Sequence, residues 1–240
     1  MKISASKGND MITKQADIIS NQVENSMWMR GILGDCNPKT LLDTSVYLFE
    51  LNFALRYGGE HRDLTLDQLS VGVNEQESYI KYSEKISKNN QRGLKDFKVV
   101  PKYVTAYVHE DPTRCIVKLY ERYLQLRPEN AATVVYLRPL TKPTESAWYS
   151  VVPVGQKTLA KTVQRLYKAS GLTGLYTNHS LRATYATRLF RCGVDEQLIA
   201  KTTGHRSNAI RQYKRADTIQ DAIVSKVIQT NMPSTYLNAN

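Results

Sequence analysis

His179 and Arg182 stand three residues apart and are followed by His205 and Tyr213, so two imidazoles, a guanidinium and a phenol fall within 35 residues. With Asn178 capping a helix, His179 and Arg182 share one helical face about a turn apart. A guanidinium placed there can fork onto phosphodiester oxygens with an imidazole beside it. A phenol held at the same phosphorus could attack it. Its ordinary pKa of about 10 makes a phenol a poor nucleophile near neutrality, so cations and a base must stand close by. Tyr213 is the sole tyrosine between Tyr185 and Tyr236. Such chemistry needs no metal, and no metal or cofactor is expected.

The elements that must carry these groups read as follows. Residues 1–35 are polar and rich in Asn, Ser and Lys, with Trp28, Met29 and Ile32 as the first apolar cluster; they are expected to form an arm, partly helical near its end. A domain over 36–230 and a tail over 231–240 follow. A helix opens at Asn37-Pro38 and carries Leu42, Val46, Phe49 and Phe53 at helical spacing, with Gly58-Gly59 to stop it. Alternation from Ser78 to Val108 predicts a hairpin or small antiparallel sheet. Pro112-Thr113 opens a helix with Ile116, Leu119, Tyr120, Tyr123 and Leu124 on one face, and a loop with Pro139, Pro143 and Pro153 leads to another over 156–169. Asn178 begins a helix to Cys192 that Gly193 ends, a further helix spans 195–202, and a short helical segment runs from Asn208 to Arg215. Ile219, Ile223, Val227 and Ile228 form an apolar stripe on a last helix before Pro233. The order predicts an α+β fold, mostly helical, with a small antiparallel sheet.

Thirty-three Lys and Arg against 22 Asp and Glu leave a formal charge of +11, which favours polyanions, nucleic acid first. Cys36, Cys115 and Cys192 stand far apart, against both a zinc finger and a disulfide scaffold. No apolar run approaches the ~20 residues of a membrane span, and the N-terminus lacks an apolar signal core. The expectation is a soluble intracellular protein. Lys81, Lys85, Lys88, Arg92, Lys95, Lys98 and Lys102 crowd the hairpin region, interleaved with Tyr79, Tyr82 and Tyr103. They could lie along a phosphate backbone or form a solvated face. Lys201, Arg206, Arg211, Lys214 and Arg215 surround the candidate nucleophile in sequence.

The strings LRYGGEHRDL (55–64), SKNNQRGL (87–94), TNHSLRATYATRLF (177–190) and TGHRSNAIRQYKR (203–215) together resemble the catalytic domain of tyrosine recombinases. The resemblance covers residues 25–230 and is closest to the Crypton transposon type and to the related C-terminal domain of zinc-finger MYM-type and glutamine-rich proteins. It implies that Arg56 and Arg182 hold the non-bridging phosphate oxygens, that His179 helps move the nucleophile's proton and that His205 donates to the phosphate. It further implies that Lys88 protonates the departing 5′ oxygen and that Tyr213 forms a 3′-phosphotyrosine. DNA contacts would come from Lys81, Lys85, Arg92, Lys95, Lys98, Arg206, Arg211, Lys214 and Arg215. Double-stranded DNA is the implied partner, the nucleus the implied location, and the last helix a route to homo-oligomers.

Glu60 stands one residue further from Arg56 than in the usual bacterial pattern, and the step from His205 to Tyr213 is one shorter. Family enzymes also clamp DNA with a separate helical domain placed before this one, which 35 residues are too few to build. Each residue has a plainer use. Arg56 could pair with Glu60, Lys88 could be a solvated hairpin lysine with Lys85 and Lys95 as rivals, His179 could support a helix start, His205 could cap a helix, and Tyr213 could be a half-buried aromatic. Two other functions fit the same residues: a domesticated, non-catalytic DNA- or protein-binding module, and a type IB topoisomerase.

Overall fold

Asn37 accepts a hydrogen bond from the Thr40 amide through its side chain and places Pro38 in the first turn of α2 (Pro38–Phe53). This helix is buried along nearly its whole length, which marks it as the centre of the core. The computed structural model describes residues 16–55, 59–75, 77–85, 101–205 and 208–230. Before α2 lies α1 (Asn21–Met29), and Ile19, Met27 and Leu33 are buried in the main core. The expected arm over 1–35 is therefore part of the domain from residue 16 onward, because those apolar side chains find a place against α2 and its neighbours. The helix also ends earlier than Gly58-Gly59: Phe53 is its last residue and Ala54 turns left-handed at φ 46°. Gly59 instead opens the short α3 (Gly59–Arg62).

One sheet comprises β1 (Leu69–Val73), β2 (Ser78–Ser83) and β3 (Tyr103–Tyr107), antiparallel in that order. Registers Leu69↔Tyr82 and Ile80↔Ala106 put Leu69, Ile80, Tyr82, Val104 and Ala106 on the buried face, against α2 and α4 (Ile116–Gln125). α4 begins later than Pro112-Thr113, since the Asp111 carboxylate accepts from both the amide and hydroxyl of Thr113 and folds that stretch into a turn. Within the proline-bearing loop, β4 (Leu137–Pro139) pairs with β5 (Tyr149–Pro153). The Tyr123 hydroxyl donates to Val135 O at 2.7 Å and accepts from Leu137 N at 2.9 Å, which ties this pair to α4.

α5 (Gln156–Ala160) and α6 (Thr162–Ala169) lead to α7 (Asn178–Arg191), which packs on α2. Thr177, not Asn178, caps α7, in a box with Ser180. α8 (Glu196–Thr203) ends at Gly204 with φ 69°, and His205 N reaches back to Ala200 O at 2.9 Å. That closure needs a left-handed residue, hence glycine, and it turns His205 toward α7. A 3₁₀ segment (Asn208–Tyr213) follows. Ala183, Ala186, Ile199, Ile210 and Tyr213 form a second small apolar cluster that fastens α8 and this segment to α7. On α9 (Thr218–Thr230), Ile219 and Ile228 of the expected stripe lie exposed, while Ile223 and Val227 are half-buried.

Candidate active site

The capping box at Thr177 starts α7, and packing of its buried face on α2 turns His179 and Arg182 toward α8 and the 3₁₀ segment. Arg182 is only 5% exposed. Its Nη1 donates to Ala54 O at the end of α2 and its Nη2 to Thr203 O at the end of α8. Two helix C-termini, each carrying partial negative charge, therefore hold the guanidinium in place. Arg182 Nη2 also lies 3.5 Å from His205 Nε2.

Tyr213 is anchored by its backbone, whose carbonyl accepts from Thr187 Oγ1 at 2.9 Å. Its hydroxyl lies 3.0 Å from His179 Nε2. Burial raises the phenol above its ordinary pKa, while the charge and hydrogen bond of Arg182 and the charge of Arg215 pull it back. Partial desolvation of its ring lowers His179, although the residue as a whole stays open to solvent, and the positive charges of Arg182 and Arg215 lower it further. Both effects point the same way: a protonated phenol donates to a neutral imidazole, a nucleophile beside its base. His179 is exposed while Tyr213 is 8% exposed. The hydroxyl thus faces a solvent-accessible ring and is not sealed in the interior.

The imidazole of His205 stands 5.1 Å from the Tyr213 ring, centroid to centroid. Thr203 Oγ1 spends its proton on Ile199 O at 2.6 Å and so accepts from His205 Nδ1 at 2.7 Å. This fixes the tautomer and leaves Nε2 facing Arg182. Nothing in the sequence distinguished Thr203 or Thr187; a threonine before Gly-His and one on a helix have many ordinary uses.

Residues 18–168 match the family described as "Domain of unknown function (DUF3504)". The chain belongs to this family. A curated relative of this chain is the human transcriptional regulator QRICH1, 26% identical over 171 residues, covering 61% of this chain and 20% of QRICH1. The mouse protein of the same name is 26% identical over 164 residues, with the same coverage. The chain spans about a fifth of these relatives. Among solved structures, the XerH site-specific recombinase bound to palindromic difH substrate, in a post-cleavage complex, matches with TM-score 0.61 and 16% identity, over 88% of this chain and 52% of XerH. The XerA recombinase matches with TM-score 0.58 and 19% identity, over 92% and 67%. The fold is that of the tyrosine recombinases, about half helical with a small antiparallel sheet.

The fold brings His179, Arg182, His205 and Tyr213 together. Arg56, Lys88, Arg92, Lys95, Lys98 and Arg206 lie outside the described residues, although Ala54, two residues before Arg56, accepts from Arg182. Several expected DNA contacts have partners within the chain. Lys85 pairs with Asp67 at 2.9 Å, Lys214 pairs with Glu196, and Arg211 stands 4.0 Å from Glu196. Arg215 donates to Ala16 O at 3.0 Å, and Lys81 sits over the Tyr103 ring at 5.2 Å. Among the described residues, no helix is long and apolar enough to cross a membrane, and no group of three His, Cys, Asp or Glu could hold a metal ion.

Proposed function

We propose that this protein cleaves and rejoins DNA through a 3′-phosphotyrosine on Tyr213, in site-specific recombination, integration or transposition of the Crypton type. The observation that carries the reading is the Tyr213 hydroxyl 3.0 Å from His179 Nε2, beside a guanidinium fixed by two helix ends. In the forward step Tyr213 Oη bonds to phosphorus, its proton passes to His179, and the bond from phosphorus to the 5′ oxygen breaks. Arg182, with Arg56, stabilises the charge that builds on the non-bridging oxygens. His205, once protonated at Nε2, donates to the same phosphate. Lys88 gives the leaving 5′ oxygen its proton. The phosphotyrosine keeps the bond energy for rejoining.

Duplex DNA as substrate is supported by the +11 charge and by the DNA complexes named for structures that share the fold, such as XerH on difH. Lys81, Lys85, Arg92, Lys95, Lys98, Arg206, Arg211, Lys214 and Arg215 would supply the backbone contacts, in the nucleus, with α9 available to a second copy. A nicked suicide substrate tests the reading. Wild-type protein should accumulate a covalent adduct and Tyr213→Phe none; equal absence in both would refute it.

A second reading is a domesticated, non-catalytic DNA- or protein-binding module, favoured by the match to a protein named as a transcriptional regulator. Salt-sensitive DNA binding without any adduct would select it.

A further inference from the structure

Lys102 is 4% exposed, although it stands in a lysine-rich stretch where solvent would be the ordinary place for its ammonium. Its Nζ donates to Phe53 O at 2.8 Å and to Ala54 O at 3.2 Å. It also sits over the Tyr82 ring at 5.2 Å. Taking an ammonium out of water is costly, and these partners are of the kind that offset it: carbonyls at the negative end of a helix and an aromatic face. α2 itself carries no basic residue in its last turn, and its C-cap, Ala54, is the sole non-glycine residue with positive φ among the described residues. The end of α2 is thus held in an uncommon backbone conformation by cations from other elements. Lys102 comes from the lead-in to β3, and Arg182 from α7, 128 residues away.

Both cations share the Ala54 carbonyl. Arg182 has its other terminal nitrogen on Thr203 O and is the group that bonds to Tyr213. If Ala54 O moves, the guanidinium loses one of its two backbone anchors and swings about the other. We propose that Lys102 is a positioning residue for Arg182: by pinning Phe53 O and Ala54 O it fixes the carbonyl that orients the guanidinium toward Tyr213 and the reacting phosphate. Lys102 touches neither substrate nor nucleophile. Its effect passes through one shared acceptor, with Tyr82 and the backbone bond from Lys102 N to Glu84 Oε2 at 3.0 Å holding it in register. The proposal builds on the cleavage reading for its consequence but not for its geometry.

The test uses the full chain with Lys102→Met, which keeps the length and removes the charge and the donors, and Lys102→Gln, which restores a donor without the charge. Imidazole resonances of His179 and His205 are titrated by NMR, since both rings stand near the Arg182 guanidinium, while circular dichroism reports folding. In folded Lys102→Met the His179 midpoint should rise measurably as Arg182's charge moves away, with a smaller rise in Lys102→Gln. With a nicked substrate, the single-turnover cleavage rate should fall at least ~10-fold while the DNA dissociation constant stays within about threefold. If Lys102→Met does not fold, Lys102→Gln carries the comparison. Unchanged His179 and His205 titrations in a folded variant would overturn the proposal. Shifted titrations with no adduct from any protein, wild type included, would uphold the positioning role and refute cleavage.

Discussion

Glu50 offers a test of the interior that supports the site, because it is a fully buried carboxylate on α2, one helical turn before Ala54. Its Oε2 stands 3.3 Å from His61 Nε2, and His61 Nδ1 lies 3.2 Å from the Tyr136 hydroxyl. Burial pushes the Glu50 carboxyl up from 4.5 to about 7, against the opposing pull of His61 and, less strongly, Arg182. A folded-state pKa above the unfolded one means that the folded protein holds the proton more tightly. The stability this contributes is complete below pH 4.5 and is lost as pH rises through about 7. A displacement of that size corresponds to about 3 kcal/mol at ~1.4 kcal/mol per unit. Glu50→Gln keeps the shape and cannot ionise. Urea unfolding of both proteins at intervals from pH 4 to 8 should show wild type losing ground to the variant by about 3 kcal/mol across that window, with carboxylates common to both cancelling. A difference that stays flat, or that moves in wild type's favour as pH rises, would refute the assignment of burial as the dominant influence on Glu50.

Two further outcomes follow from the site. The acid limb of the kcat/KM profile for cleavage should lie below the ordinary histidine value of 6.5, since burial and the charges of Arg182 and Arg215 lower His179 and protonation removes its ability to accept from Tyr213. Arg215→Gln should move that limb upward; a wild-type limb at or above 6.5 would count against His179 as the base. Thr203→Val deletes the acceptor that holds His205 Nδ1 at 2.7 Å and should slow single-turnover cleavage about 10-fold or more, at a stability cost of roughly 1 kcal/mol. An unchanged rate would show that His205 needs no such anchor.

The approach of His179, Arg182, His205 and Tyr213 to one another was legible because its signals are local. His179 and Arg182 share a helix whose start is marked by capping residues, and Gly204 ends α8 in the left-handed conformation that glycine adopts freely. The short strand β1 was missed because its burial does not alternate and Gly72 interrupts it; Tyr79 packs its ring where a side chain at Gly72 would stand. β4 and β5 were hidden among prolines that ordinarily mark loops. The anchoring of residues 16–35 depends on α2 and α7: Ile19 N donates to Thr184 Oγ1 across 165 residues, a contact that no local pattern encodes. Lys102 was indistinguishable from its neighbours in sequence, since its partners lie 48 and 49 residues away at the end of α2.

The central claim is that the phenol of Tyr213 bonds to phosphorus. A covalent complex formed on a nicked duplex, trimmed by nuclease and digested with protease, can be sequenced by tandem mass spectrometry. The account predicts a nucleotide remnant on the peptide containing Tyr213 and on that residue alone. A remnant on another side chain, or an adduct that persists in Tyr213→Phe, would contradict it.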